Sequence, residues 1–371
     1  MKVLVIGNGF DLAHGFETKY IDFLEFVKQF NLMYDSANRS GFYKIRSRSQ
    51  LKYLTELFAS NSESGNNLIR ELRKLTNDNI WISHFWDIMG KRGENWVDFE
   101  KEISQVVQMQ ERYFARRLDG EKEEAAEVEL NGSIVFKNDI MENLVEENTD
   151  DRDMLKLFKA RCTGRYLEHL NNLTRALEIY FTAYVMNSKK PELIRDILDI
   201  DLHEDDAIIS FNYTDTYNRL YKQNPVDHVY FLHGKALIEN TVESNDMVLG
   251  IDEYYKEDEE KNSKVDYVAF KKYFQRIIKG TTPRYKEIFE HEESEEPEEP
   301  VEMYIYGHSL DVTDKDVFKE LLNKNVKVTV FSYNKETQKT HVSNLVQILG
   351  MESMISNTYN LDPKITFKLQ T

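Results

Sequence analysis

The side chains best suited to chemistry in this sequence stand where short apolar runs stop. Residues 3–6 end in Gly7, Asn8, Gly9, Phe10 and Asp11, and residues 207–211 end in Asn212, Tyr213, Thr214 and Asp215. Residues 229–232 end in His233, Gly234 and Lys235, residues 247–249 in Gly250, Ile251 and Asp252, and residues 303–306 in Gly307, His308, Ser309, Leu310 and Asp311. An imidazole between a strand and a glycine, as at His233, can titrate near neutral pH and serve as a general base. Asn212 offers a donor and an acceptor to a ribose hydroxyl or a water. The Gly7-Asn8-Gly9 turn allows close backbone approach, and the amides of a following helix can hold a pyrophosphate. The same residues also have ordinary uses: a plain strand-to-helix turn at Gly7–Gly9, a structural histidine at 233 and an Asx turn at Asn212. Leu12 stands where the dinucleotide fingerprint has its third glycine.

These side chains can meet only if the runs before them are neighbouring strands of one sheet. The apolar runs at 3–6, 207–211, 229–232, 247–249, 303–306, 326–331 and 365–368 have the length and composition of buried strands. Helical patterns at 315–322 and 342–349 lie between the later ones, and strands alternating with helices give a parallel sheet. In such a sheet, ligands bind beyond the carboxyl ends of the strands. From residue 31 to 200 the apolar period is 3.6, with long helices expected at 96–118 and 154–186. The fold class expected is therefore α/β, a Rossmann-like parallel sheet from residues 1–30 and 201–371. A large helical insertion of residues 31–200 separates the first two strands. Residues 121–151 read as an acidic, solvated excursion with a small hairpin near 133–136, and residues 286–300, rich in glutamate, as an acidic mobile loop.

Composition narrows the partners. The 371 residues carry 48 Lys and Arg against 65 Asp and Glu, a net charge of −17 that makes nucleic acid and anionic membranes poor partners. Cys162 is the single cysteine, so a disulfide framework and a cysteine-based zinc site are ruled out within one chain. The opening MKVLVIGNGFDLAHG turns polar too early for a signal peptide or a membrane span, which sets the expectation of a cytoplasmic protein. His14, His233, His308, Asp11 and Asp311 are ligand types for a metal, but none has motif spacing, and no metal is expected. Asp98 and Glu100 suit helix capping and the helix dipole. Around Lys271, Lys272, Arg276 and Lys279, basic and aromatic residues alternate as on a packed amphipathic helix. The apolar face of residues 154–186 reads as core or oligomer seam, and a homo-oligomer is expected.

The segments VLVIGNGFDLAHGFETKYIDF, NWVDFE, IISFNYT, YFLHGK, VLGID and YIYGHSLDVTD together resemble the AbiH-type bacteriophage abortive-infection proteins over nearly the whole chain. More distantly, the ordered set is similar to the sirtuin-like NAD-binding domains. The first resemblance implies an antiviral defence protein that answers a phage-derived trigger, and the second implies that it takes NAD or a related nucleotide. It implies Gly7, Asn8 and Gly9 at the nucleotide turn, Asn212 orienting ribose or water, and His233 as base, with Gly307, His308 and Ser309 on the adenosine side. Asp11 or Asp215 would then stabilise the positive charge left on ribose as nicotinamide departs. Thr214 stands where that group has aspartate, and the chain lacks its zinc-binding cysteine quartet. Hydrolysis of the nicotinamide–ribose bond and nucleotide sensing without turnover through the helical insertion both stay open, with a nuclease as a minor alternative that the net charge disfavours.

Overall fold

The computed structural model describes residues 1–35, 47–92, 98–144, 151–188, 200–221, 225–251, 265–281, 284–289 and 299–370. The chain divides into two compact units. One comprises Met1–Thr18, Val185–Ala236 and Arg276–Thr371, the other Lys19–Tyr184 and Leu237–Gln275.

The first unit is built on six parallel strands: β1 (Lys2–Ile6), β2 (Ala207–Ser210), β3 (His228–Phe231), β4 (Val301–Tyr306), β5 (Val326–Ser332) and β6 (Ile365–Leu369). Their spatial order is β3-β2-β1-β4-β5-β6. This is the order of doubly wound dinucleotide-binding sheets, with its reversal between β1 and β4. Val3 pairs with Ala207 on one side and Met303 on the other, so the three strands end in register. Val3, Val5, Met303, Ile305, Val328 and Val330 enter one core with Phe318, Leu321, Leu345 and Ile348. These last four come from the helices Lys315–Asn323 and Lys335–Leu349. Leu4 and Ile6, on the opposite face of β1, are buried as well. Burial on both faces explains why β1 reads as an uninterrupted apolar run.

The second unit is helical. Its helices include Tyr20–Asp35, Arg48–Ala59, Glu63–Thr76, Ile80–Arg92, Phe99–Leu118, Ile134–Leu144 and Arg152–Ile179. Their starts follow capping chemistry: Ser47, Ser62, Asp98 and Asp151 each accept a hydrogen bond from an amide in the first turn. The Asp98 cap is the one its sequence position suggests, and Glu100 forms an ion pair with Lys272 at 2.8 Å. Aromatic rings fill the centre, with Phe85 stacked on Phe99 at 4.0 Å and Phe136 edge-on to Tyr166 at 4.7 Å. Arg175, buried, donates to Glu178 at 2.7 Å and to the carbonyls of Leu237 and Ile238 at 3.2 and 3.0 Å. Glu178 in turn accepts from the Leu237 amide at 3.0 Å and from Asn240 at 2.6 Å. One buried ion pair thus ties residues 237–240 to the long helix.

Several expectations are corrected. Residues 247–249 form no strand of the sheet: residues 237–275 cluster with the helical unit, and Ile251 makes only an isolated bridge to Lys271. The Leu249 amide and carbonyl pair instead with the Gln275 side chain, at 3.1 and 3.0 Å, and apolar content alone could not tell the two outcomes apart. Asp252 lies outside the described residues. The expected hairpin near 133–136 is a 3-10 turn, Glu127–Gly132, followed by the helix Ile134–Leu144. Leu130, Phe136, Ile140 and Leu144 bury a helically spaced face that the surrounding acidic residues obscured. The sheet unit ends at Thr18 and resumes at Val185, so the expected boundaries at residues 30 and 201 both fall inside other pieces. The long helix is α-helical over Arg152–Ile179 and widens to a π turn at Tyr180–Val185. Of the expected acidic loop, residues 286–289 belong to the 3-10 helix Arg284–Phe289, anchored by buried Tyr285 and Phe289. Residues 290–298 lie outside the described residues.

Candidate functional site

Parallel pairing in register brings the ends of β1, β2, β3 and β4 to one rim. Gly7 follows β1, and its amide donates to the Tyr306 carbonyl at 3.2 Å. The Gly9 amide donates to the Gly307 carbonyl at 2.7 Å. A Cβ on Gly7 would lie 2.7 Å from His308 Cα, and one on Gly9 would lie 2.7 Å from Gly307 Cα. The glycines therefore permit close backbone approach, as the sequence suggested, but what approaches is the chain's own fourth turn. Of the helix amides expected to hold a pyrophosphate, that of Gly9 is already engaged, and the helix, Asn8–Ala13, has only six residues. Asn8 is exposed at the rim, its side-chain carbonyl accepting from Thr18 at 2.6 Å.

Asn212 follows β2, and its amide group donates to the Gly7 carbonyl at 3.0 Å. Asp11 is buried one helical turn beyond Gly7, where it accepts a hydrogen bond from Thr214. Its other oxygen, Oδ1, is buried and has no hydrogen-bond partner among the described residues. Burial pushes the Asp11 carboxyl up to about 6, against the opposing hydrogen bonds of Thr214, Thr216 and Asn212. An acid so tuned changes charge close to neutral pH, and a buried orphan oxygen is an acceptor waiting for a donor.

His233 follows β3 and His308 follows β4. Phe211, between β2 and Asn212, contacts both imidazoles, with centroids 5.4 Å from His233 and 4.2 Å from His308. His233 Nε2 lies 3.0 Å from Asp314 Oδ1, and His308 Nε2 lies 3.8 Å from Asp314 Oδ2. Arg276 donates to the same Asp314 Oδ1 at 3.2 Å. All four side chains belong to the sheet unit. The remaining anticipated residues sit at the edge: Asp215 forms an ion pair with Lys235 at 2.7 Å, and exposed Ser309 accepts on its carbonyl from Asn344 at 3.0 Å.

Asp314 was not anticipated. It lies three residues beyond Asp311, in the short 3-10 turn Val312–Asp314 that follows β4, and nothing in its spacing marks it. Asp311 caps that turn through the Thr313 amide at 3.0 Å. Arg276 was anticipated as part of a basic helix, but its partner was not. Of the other metal-type residues, His14 bonds to the Phe10 carbonyl at 2.7 Å and the Tyr221 hydroxyl at 2.9 Å. Among the described residues, no group of three or more His, Cys, Asp or Glu is arranged to hold a metal ion, and no helix is long and apolar enough to cross a membrane. A cavity of about 370 Å³ in the helical unit, lined by His84, Glu102 and Arg112 among others, contains none of the rim residues.

A six-stranded parallel α/β sheet whose order reverses between β1 and β4, with titratable side chains collected at its carboxyl rim, defines the class of protein. Residues 3–333 match the family described as Bacteriophage abortive infection AbiH, and the chain belongs to that family. No curated protein and no solved structure matches it.

Proposed function

We propose that this member of a phage abortive-infection family binds NAD or a related nucleotide at the rim and hydrolyses its nicotinamide–ribose bond. The carrying observation is Asp11, a buried carboxyl raised to about 6 with one oxygen that has no hydrogen-bond partner among the described residues, beside Asn212 and at the reversal of strand order. The bond from ribose C1′ to the pyridinium nitrogen breaks, and its electron pair leaves with neutral nicotinamide. Water then bonds to C1′ and yields its proton to His233. The Asp11 carboxylate stabilises the positive charge developing on the ribose, and Asn212 orients the sugar or the water. A phage-derived trigger and a homo-oligomer are part of this reading.

The test is nicotinamide release from NAD by the purified protein, with and without phage lysate. The reading expects release that both His233→Ala and Asn212→Ala abolish. Equal turnover by the wild type and both variants would overturn the assignment.

One observation favours a second reading. The Gly9 amide and the Asn212 side chain are both satisfied within the chain, so a ligand would have to displace existing contacts at 2.7 and 3.0 Å. A rim closed in this way suits a sensor that binds a nucleotide without turnover and changes shape. Calorimetry showing ADP-ribose binding without product would select it.

A further inference from the structure

We infer that Asp314 is a positioning residue: it fixes the tautomer of His233, so that the base at the rim is Nδ1 of that imidazole. The inference rests on the reading of His233 as the proton acceptor. A carboxylate can only accept, so an imidazole nitrogen 3.0 Å from Asp314 Oδ1 must carry a hydrogen. In neutral His233 that hydrogen sits on Nε2, and the basic lone pair is then on Nδ1.

The neighbourhood is built to keep Asp314 an acceptor. Arg276 donates to Oδ1 at 3.2 Å. His308 has its own tautomer set by the backbone: the Leu310 amide donates to His308 Nδ1 at 2.9 Å, which places the His308 hydrogen on Nε2, the nitrogen 3.8 Å from Asp314 Oδ2. Leu310 holds that amide in place from a left-handed conformation, φ 55°, unusual for a leucine. Two imidazoles and a guanidinium therefore converge on one buried carboxylate, and Phe211 contacts both rings. A carboxylate that orients an imidazole and stabilises its protonated form is the third member of nucleophile and base constellations on unrelated folds. Here the proton taken from water would enter at Nδ1 while Nε2–H stays bonded to Asp314.

Long-range proton–nitrogen NMR of the histidine rings in the full-length protein reads the tautomer without any substrate, with His233→Ala assigning the signal. In the wild type, the neutral His233 ring should carry its hydrogen on Nε2. In Asp314→Asn, whose amide can donate or accept, the Nδ1–H form should become populated. Nicotinamide release should fall by about 10²- to 10⁴-fold with little change in KM, because orientation is lost while binding groups remain. Asp314→Glu should retain the wild-type tautomer. A wild-type His233 protonated on Nδ1, or on both nitrogens across the neutral range, would overturn the inference, as would an unchanged tautomer in Asp314→Asn. If Asp314→Asn does not fold, the wild-type spectrum decides alone. A tautomer that shifts as expected in a protein without NAD turnover supports this inference and defeats hydrolysis, so the two failures are separate.

Discussion

Gly9 donates its amide hydrogen to the carbonyl of Gly307 over 2.7 Å, a contact that joins the turn after β1 to the turn after β4 where the strand order reverses. Gly307 adopts φ +68°, and a Cβ there would fall 2.2 Å from the Phe10 nitrogen. No larger residue fits without moving one of the two turns.

Gly307→Ala should accordingly destabilise the fold by at least about 3 kcal/mol, since backbone strain and overpacking act together. Gly164→Ala is the contrasting case. Gly164 lies in the helix Arg152–Ile179, and an alanine methyl there would meet nothing within 4 Å, so alanine should stabilise by about 0.5–1 kcal/mol. Urea midpoints of the two variants test both signs, and a neutral Gly307→Ala would contradict the turn-to-turn packing.

Asp11 gives a dependence on pH with a definite sign. Its carboxyl rises from 3.8 to about 6 on folding, so between those values the native state binds more protons than the unfolded chain. Stability therefore falls as pH rises through that window, by about 3 kcal/mol for a shift of this size, and the penalty is complete above it. Asp11→Asn removes the titration. The stability of the variant relative to the wild type should improve steadily from the acid to the neutral side of the window, measured by denaturant unfolding at several pH values. A difference that stays flat would show that Asp11 keeps an ordinary carboxylate pKa. On the hydrolase reading, turnover by the wild type rises as Asp11 ionises near pH 6.

Asn212 has a structural duty as well as the proposed one. Asn212→Ala removes the 3.0 Å donor to the buried Gly7 carbonyl, which keeps the Phe10 amide at 2.8 Å, and should cost about 0.5–1.5 kcal/mol. The variant should still unfold cooperatively while nicotinamide release is lost. A stability equal to the wild type would mean the Asn212–Gly7 bond is not formed in solution.

In the helical unit, Arg175→Met strips the buried Glu178 of its cationic partner and releases the carbonyls of Leu237 and Ile238. Breaking a buried pair from one side should cost about 3–5 kcal/mol. Limited proteolysis should show faster cleavage near residues 237–245, where Asn240 and Asn245 also bond to Glu178. An unchanged cleavage pattern would mean that the segment is held by other contacts.

The sequence by itself determined the strands of the sheet and the polar turns that end them. Val3, Leu4, Val5 and Ile6 are buried on both faces, and an uninterrupted apolar run of that length leaves little choice but a central parallel strand. It also determined which side chains would stand at the strand ends, because Gly7, Asn212, His233 and Gly307 directly follow or lie within two residues of β1 to β4. The run at 247–249 was misread because apolar composition does not reveal whether a segment finds a neighbouring strand. Tertiary structure alone decided the partners. That Gly9 meets Gly307 and Asn212 meets Gly7, that Asp11 is buried deep enough to be raised to about 6, and that Asp314 receives two imidazoles and a guanidinium all depend on residues far apart in the chain. Spacing along a sequence records local geometry, whereas desolvation and hydrogen-bond partners are set by which strand ends lie side by side.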